Sequence, residues 1–162
     1  MCGIVGYIGS QNAQDFVIDG LEKLEYRGYD SAGIAVNTGK DRFEIVKKVG
    51  RLQNLADALK EHPLKGHSGI GHTRWATHGK PSDVNSHPHF NKDKTLVVVH
   101  NGIIENYLEL KKDLQAKGYE FISETDTEVV AHLLDSLYEG DLLEAVKKLL
   151  KIIKGAYALG MM

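Results

Sequence analysis

The chain has 162 residues, of which 42% are hydrophobic and 26% charged, and its formal net charge at pH 7 is -2. These proportions are ordinary for one soluble globular domain, and the weak negative charge predicts no bulk attraction to nucleic acid or an anionic membrane surface. No apolar run approaches the ~20 residues that span a bilayer, and no basic leader precedes the apolar N-terminus, so we expect a cytoplasmic protein.

The first half of the chain is predicted to alternate strands with helices. Apolar residues from Phe16 to Leu24 recur with the spacing of one helix face, which predicts a helix over 15–24. A weaker helix is predicted over 55–61, since its pattern stops upstream of Pro63. Short apolar runs predict strands over Gly3–Ile8, 32–36, 43–49 and 70–74.

The second half carries the strongest strand pattern and three helix patterns. The run Leu-Val-Val-Val-His predicts a strand over 96–100 that stops at the turn signal Asn101-Gly102. A capping box at Thr125 opens a predicted helix over 127–138. The remaining predictions are a polar loop over 75–91, a helix that starts at Asn106 and is closed by Gly118, a helix over 141–153 and a strand over 156–161.

Composition and periodicity together predict only a layered protein of mixed α and β structure. No internal repeat, low-complexity tract or linker divides the chain, which indicates part or all of one domain. The last residues, Gly160-Met161-Met162, fall inside an apparent strand with no polar tail. We therefore expect a fragment of a longer domain.

Cys2 is the only cysteine and stands between Met1 and Gly3. Removal of Met1 would leave a thiol and a free α-amino group on one Cα, with reference pKa values of about 8.5 and 7.7–8.0. One group can accept the proton of the other near neutral pH, which gives a nucleophile with its own base. The alternative is a small apolar residue buried under a terminal strand. A single cysteine allows no internal disulfide, as is usual in a reducing cytoplasm.

Asn101 and Gly102 are candidates for stabilising an oxyanion. The carboxamide of one and the backbone N–H of the other could donate to a tetrahedral intermediate formed at the sulfur. The same dipeptide is also common in plain turns, so a structural reading stays open.

Arg74 and Asp126 are candidates for holding a zwitterionic amino acid. An arginine can form bidentate hydrogen bonds with a carboxylate, and an aspartate can accept hydrogen bonds from an ammonium group. Against this, Arg74 could form a surface ion pair, and Asp126 lies in the first turn of a predicted helix, where any acid is favoured. Two more polar candidates follow the strand at 70–74, namely Thr77 and His78.

Two further patterns are read as structural. The eight histidines include His87-Pro88-His89, yet no cysteine partner or His-Glu-x-x-His helix accompanies them, so we expect loop packing and hydrogen bonding, with no metal site and no cofactor. Residues 27–33 are glycine-rich but lack the spacing of nucleotide-binding loops. We interpret them as a tight turn.

Six short blocks stand in a fixed order along the chain: Cys2-Gly3-Ile4-Val5-Gly6, 24–33 (LEYRGYDSAG), 71–79 (GHTRWATHG), His87-Pro88-His89, Val99-His100-Asn101-Gly102 and 123–128 (SETDTE). Together they resemble the glutaminase domain of the class II (N-terminal nucleophile) amidotransferases, over residues 2–160. The most similar branch forms glucosamine 6-phosphate. The branch that acts on phosphoribosyl pyrophosphate ranks second, since it differs in the Arg-Gly-Tyr-Asp and Arg-Trp-Ala-Thr-His blocks.

The resemblance implies a role for each candidate. Cys2 would be the nucleophile, its freed amine the general base, and Asn101 with Gly102 the oxyanion hole. Arg74 would hold the α-carboxylate of L-glutamine and Asp126 its α-ammonium group. The residues implied to line the same pocket are Thr77, His78 and Gly102, and Trp75 is implied to lie in a closing loop that directs ammonia onward.

The resemblance also implies a fold and a larger protein. The fold is α+β, a four-layer αββα sandwich of antiparallel sheets of the N-terminal nucleophile hydrolase type, truncated here at its C-terminus. Residues 1–162 would form the N-terminal portion of the glutaminase domain, and a separate C-terminal isomerase domain would be absent. The full-length enzyme would be a homodimer. The alternatives are another class II amidotransferase and a catalytically silent glutamine-binding fragment.

Overall fold

A computed structural model describes residues 2–76 and 78–162 of the chain. The strands are β1 (Gly3–Ile8), β2 (Ser31–Asn37), β3 (Glu44–Val49), β4 (Ser68–Arg74), β5 (His89–Phe90), β6 (Val97–Gly102) and β7 (Tyr157–Met161). The α-helices are α1 (Ala13–Leu24), α2 (Leu52–Glu61), α3 (Tyr107–Ala116), α4 (Asp126–Leu137) and α5 (Leu142–Leu149). None of the helices described has the length and apolar composition needed to cross a membrane.

The strands form two antiparallel sheets. The first has the order β1-β4-β2-β3 and the second the order β5-β6-β7. Helices α1 and α2 cover the outer face of the first sheet, where Val17, Leu21 and Leu55 are fully buried in one apolar cluster. Helices α3, α4 and α5 cover the outer face of the second sheet around Val98 and Leu134. The layers therefore follow the predicted order, α–β–β–α.

A thinner apolar layer joins the two sheets. Ala35 and Ile70 of the first sheet pack with Val97 and Val99 of the second. Because side chains alternate along a strand, the same inner face of β4 continues from Ile70 to His72 and Arg74, and that of β6 from Val99 to Asn101. The sandwich interior is thus apolar at one end and polar at the other.

Several predicted boundaries are wrong in an informative way. Strand β6 does not end at His100 but includes Asn101 and Gly102, because these residues pair with Ala158 and Tyr157 of β7. The predicted loop over 75–91 includes the short strand β5, and the predicted helix over 141–153 ends at Leu149.

Helices α3, α4 and α5 begin within one residue of their predicted starts, whereas α1 and α2 begin two and three residues earlier than predicted. The capping side chains act differently from the prediction. The Thr125 side chain accepts from Glu128 N, whereas Glu128 does not reach back to Thr125 and accepts from the backbone N–H groups of Ile122 and Ser123. Asn106 precedes α3 without a capping bond and instead donates to Ile152 O. These side chains tie the helices to neighbouring segments.

Candidate active site

One cavity of about 250 Å³ lies where β1, β4, β6 and the start of α4 meet. Of the residues singled out from the sequence, its lining contains Cys2, Arg74, Trp75, His78, Gly102 and Asp126. Asn101 lies beside it and contacts Cys2. Thr77 lies outside the described residues. Segments that are far apart in the sequence therefore converge on the predicted nucleophile.

Cys2 is half-buried at the cavity wall rather than sealed in the core. Its Sγ accepts from Trp75 N at 3.1 Å, and the next backbone group, Gly3 N, donates to Thr73 Oγ1 at 3.1 Å. Since β1 pairs with β4 along its whole length, these bonds fix the sulfur relative to Arg74. The reading of Cys2 as an inert core residue does not fit this position.

Arg74 is 3% exposed, so it is not a surface ion pair. Its Nη2 donates to the carbonyl oxygens of His78 and Gly79, the latter at 2.9 Å. Its Nη1 lies 3.7 Å from Asp30 Oδ1 and has no hydrogen-bond partner within residues 2–76 and 78–162. Burial lowers the pKa of the guanidinium, and the charges of Asp30, Cys2 and Asp126 oppose that change. Among the described residues, Nη1 is therefore a guanidinium nitrogen whose donor capacity is not used.

Asp30 anchors the segment that carries Arg74, a role that the sequence patterns did not indicate. Its backbone N donates to Arg74 O at 2.7 Å, and its carboxylate accepts from Ala76 N. It belongs to the glycine-rich stretch 27–33, interpreted from the sequence only as a turn. In that stretch Gly33 allows the backbone at His87 to approach closely, because a Cβ on residue 33 would lie 2.0 Å from His87 O. The glycine-rich stretch is visible in the sequence, but its contacts with Arg74, Ala76 and His87 form only in the folded chain.

Asp126 is the first residue of α4 and is also 3% exposed. Its Oδ2 accepts from Ile104 N at 2.8 Å, while its Oδ1 lies 4.0 Å from His78 Nδ1. The positive end of the helix dipole favours a carboxylate here. A buried cation and a buried anion, Arg74 and Asp126, thus face the same small cavity.

Asn101 and Gly102 end the strand that passes beside Cys2. Asn101 Nδ2 donates to Cys2 O at 3.2 Å, and its Oδ1 lies 2.7 Å from His72 Nε2. Gly102 has φ +127°, and a Cβ there would lie 2.1 Å from Ala156 O, so only glycine fits without displacement. The turn reading of this pair is wrong, because both residues belong to β6.

Four buried histidines lie at or next to the cavity, and two of them, His87 and His100, belong to its lining. His87 Nε2 and His100 Nδ1 each lie 2.9 Å from Thr127 Oγ1, and His89 Nε2 lies 3.0 Å from Thr125 Oγ1. Burial lowers the pKa of His72 to about 4 and that of His87 and His89 well below the ordinary value. Within the described residues, no group of three or more acidic, histidine or cysteine side chains has the arrangement of a metal site.

Known proteins are similar to this chain in both sequence and fold. Residues 72–162 match the family described as "Glutamine amidotransferase domain". Two curated relatives, from Thermus thermophilus and Clostridium acetobutylicum, are named glutamine–fructose-6-phosphate aminotransferase [isomerizing]. Each is 60% identical to this chain, over 98% and 99% of its length respectively. The chain spans 26% of the length of either relative.

A solved structure extends the comparison to the fold. The glutamine phosphoribosylpyrophosphate amidotransferase of B. subtilis is 31% identical, with a TM-score of 0.85 that covers all of this chain and 35% of that one. The family match covers more than half of the chain and includes Arg74, Asn101, Gly102 and Asp126. This chain therefore belongs to the glutamine amidotransferase domain family.

Proposed function

We propose that the chain is the glutaminase part of an isomerizing glutamine–fructose-6-phosphate aminotransferase, and that it hydrolyses L-glutamine to glutamate and ammonia. The observation that carries the proposal is one cavity that combines the Cys2 sulfur with a buried guanidinium and a buried carboxylate. The relatives from Thermus thermophilus and Clostridium acetobutylicum support the choice of branch, since they are similar over almost the whole chain.

Arg74 and Asp126 bind the two charged groups of glutamine in this proposal. Arg74 Nη1 donates to the α-carboxylate, since Nη2 is already used by two carbonyl oxygens. Asp126 Oδ1 accepts from the α-ammonium group, since Oδ2 is used by Ile104 N. His78 lies between them, and Thr77 is proposed to line the same pocket. Held at one end, the side-chain amide extends toward Cys2.

Cys2 then attacks the side-chain amide carbon of glutamine. Removal of Met1 frees the α-amino group, which takes the thiol proton and passes it to the leaving nitrogen, so that ammonia departs and a γ-glutamyl thioester forms. Water attacks the thioester carbonyl with the same amine as base, which releases glutamate and restores the thiol. Each step is a proton transfer or an acyl transfer, so the atoms and electrons balance with glutamine and water alone.

Asn101 and Gly102 stabilise the negative oxygen of each tetrahedral intermediate. A carboxamide nitrogen carries two hydrogens, and only one is used in the bond from Asn101 Nδ2 to Cys2 O. The second hydrogen and the Gly102 N–H are the proposed donors. Trp75, whose side chain is 56% exposed beside the sulfur, is proposed to close over glutamine and direct ammonia onward.

The remainder of the proposal concerns the longer protein. A C-terminal isomerase domain would use the ammonia to convert fructose 6-phosphate into glucosamine 6-phosphate, and the full-length enzyme would be a homodimer. A thiol that must stay reduced suits the cytoplasm. The net charge of -2 supports the absence of nucleic-acid and membrane partners.

Intact mass spectrometry before and after treatment with a glutamine-like diazo-ketone tests the glutaminase step. We expect the wild-type mass to lack Met1 and to gain one adduct, located on Cys2 by peptide mapping. Retention of Met1 in an active protein, or labelling that persists in Cys2→Ala, would refute the mechanism. Assay of the full-length protein with fructose 6-phosphate or phosphoribosyl pyrophosphate then separates the two branches of the family.

A further inference from the structure

A contact between His72 and Asn101 joins the two sheets directly behind Cys2. His72 is fully buried on the inner face of β4, and Asn101 ends the inner face of β6. His72 Nε2 lies 2.7 Å from Asn101 Oδ1 and 3.1 Å from His100 O. The cavity lining includes Arg74 from the same strand but not His72. The histidine therefore stands one layer behind the groups that face the cavity.

The two oxygen partners fix the protonation of the His72 ring. Both are acceptors, so Nε2 must carry the hydrogen and donate to them. Burial lowers the pKa of His72 to about 4, so the ring is neutral at pH 7 and its Nδ1 carries no hydrogen. Consistent with this, Nδ1 has no hydrogen-bond partner within the described residues.

The same hydrogen fixes the Asn101 carboxamide. If the amide were turned over, its NH₂ group would face the His72 N–H, and its oxygen would face Cys2 O. Both contacts would be repulsive. The orientation with Nδ2 toward Cys2 is therefore held from behind by His72 and from the front by the bond to Cys2 O at 3.2 Å.

We infer that His72 is a positioning residue for the oxyanion hole: its Nε2–H holds the Asn101 amide so that Nδ2 can donate to the oxygen that becomes negative when Cys2 attacks. The inference rests on the proposed glutaminase function and deepens it. His72 touches neither glutamine nor sulfur, so it acts only through Asn101. A buried histidine that merely filled space would have no such dependence.

A double-mutant cycle in the full-length protein tests this dependence. We expect His72→Leu, which removes the donor, to lower kcat for glutamine hydrolysis about 10- to 100-fold with KM changed less than about twofold, because Arg74 and Asp126 are untouched. His72→Gln, which offers an amide N–H in place of Nε2–H, should recover most of the rate. In an Asn101→Ala background, His72→Leu should cost less than about twofold more.

His132→Leu is the matched control, since His132 is also buried but lies on α4 against Tyr119 and Phe121. We expect it to leave kcat unchanged. An unchanged rate in His72→Leu, an equal loss with and without Asn101, or no recovery by His72→Gln would each overturn the inference. If His72→Leu does not fold, nitrogen NMR of the wild-type ring still decides, since a hydrogen on Nδ1 instead of Nε2 would overturn it.

The proposed function fails in a different way. A wild-type protein that releases no glutamate, or a Cys2→Ala variant that releases as much as wild type, would overturn both the function and this inference. A wild-type protein that depends on Cys2, but whose rate is indifferent to His72, would overturn the inference alone.

Discussion

The two ends of the layer between the sheets are built from the same strands but have opposite chemistry. At one end Ile70 packs in an apolar cluster with Val97 and Val99. Two to four residues further along the same faces, His72 and Asn101 meet. A shift of one or two side-chain repeats along β4 and β6 thus converts a hydrophobic core into a candidate active site.

The comparison teaches how stability and chemistry are divided. The apolar end stabilises the sandwich by removing hydrocarbon from water, at about 25 cal/mol per Å². The polar end gains nothing from that term and must offset the desolvation of each polar group with a hydrogen bond. Arg74 Nη1 and His72 Nδ1 have none within the described residues. We therefore expect changes at the two ends to affect different measurements.

The largest effect is expected at the polar end, in the rate. Cys2→Ala should lower glutamine hydrolysis in the full-length protein at least about 10⁴-fold, because loss of a nucleophile removes the covalent route. Since Cys2 is only half-buried, the melting temperature should change little. Glutamate release and thermal unfolding measured on one preparation check both parts. Residual hydrolysis near the wild-type rate would show that another group attacks.

The second effect is a loss of stability in acid that originates at the polar end. Burial lowers the pKa of His72 from 6.5 to about 4. Between these two pH values the His72 side chain is therefore protonated in the unfolded chain but neutral in the folded chain. Stability should be unaffected above pH 6.5 and should fall by about 3 kcal/mol as the pH approaches 4. His87, His100 and Arg74 face the same ring or its neighbours and strengthen the trend.

Denaturant unfolding at a series of pH values measures this loss. His72→Gln should flatten the slope between pH 6.5 and 4, since glutamine does not titrate. His62→Gln is the control, because His62 is exposed, and it should leave the slope as in wild type. A slope that is equal in all three proteins would contradict the assignment to His72.

The third effect concerns substrate binding at the start of α4. Asp126→Asn keeps an oxygen for Ile104 N but removes the negative charge, so KM for glutamine should rise about 10- to 100-fold. Asp135→Asn is a matched control on the same helix, where the carboxylate contacts Asn91 and Tyr119 instead of the cavity. Equal changes in KM for the two variants would show that the effect is structural.

Local patterns predict most of the helices and strands, but not how these elements stack. Strand β1 has its predicted bounds, Gly3–Ile8, and Thr125 caps α4 as expected, because both depend on residues close together in the sequence. The prediction of a turn at Asn101-Gly102 is wrong because this pair depends on residues far away in the sequence. Pairing with Tyr157 and Ala158, more than 50 residues away, overrides a turn preference that only neighbouring residues express.

From the sequence, the grouping of the candidate site residues can be predicted only through the six blocks and the resemblance that they carry. The spacing between Arg74 and Asp126 in the chain carries no information about their common cavity, which depends on how two sheets stack. Asp30 and His72 stand in the blocks, where the sequence predicts a tight turn for the first and loop packing with hydrogen bonding for the second. Their partners, Ala76 N and Asn101 Oδ1, come from other segments, so only the assembled layers show what they position.

The smallest effect is expected at the apolar end, and only in stability. Ile70→Val removes one buried methylene and should lower the free energy of unfolding by about 0.5–1.5 kcal/mol. Because Ile70 contacts Val97 and Val99 rather than the cavity, kcat and KM should stay within about twofold of wild type. Chemical denaturation and steady-state kinetics check the two halves. A fall in kcat in the folded variant would mean that a change of packing at Ile70 shifts His72 through β4. The two ends of the layer would then be coupled.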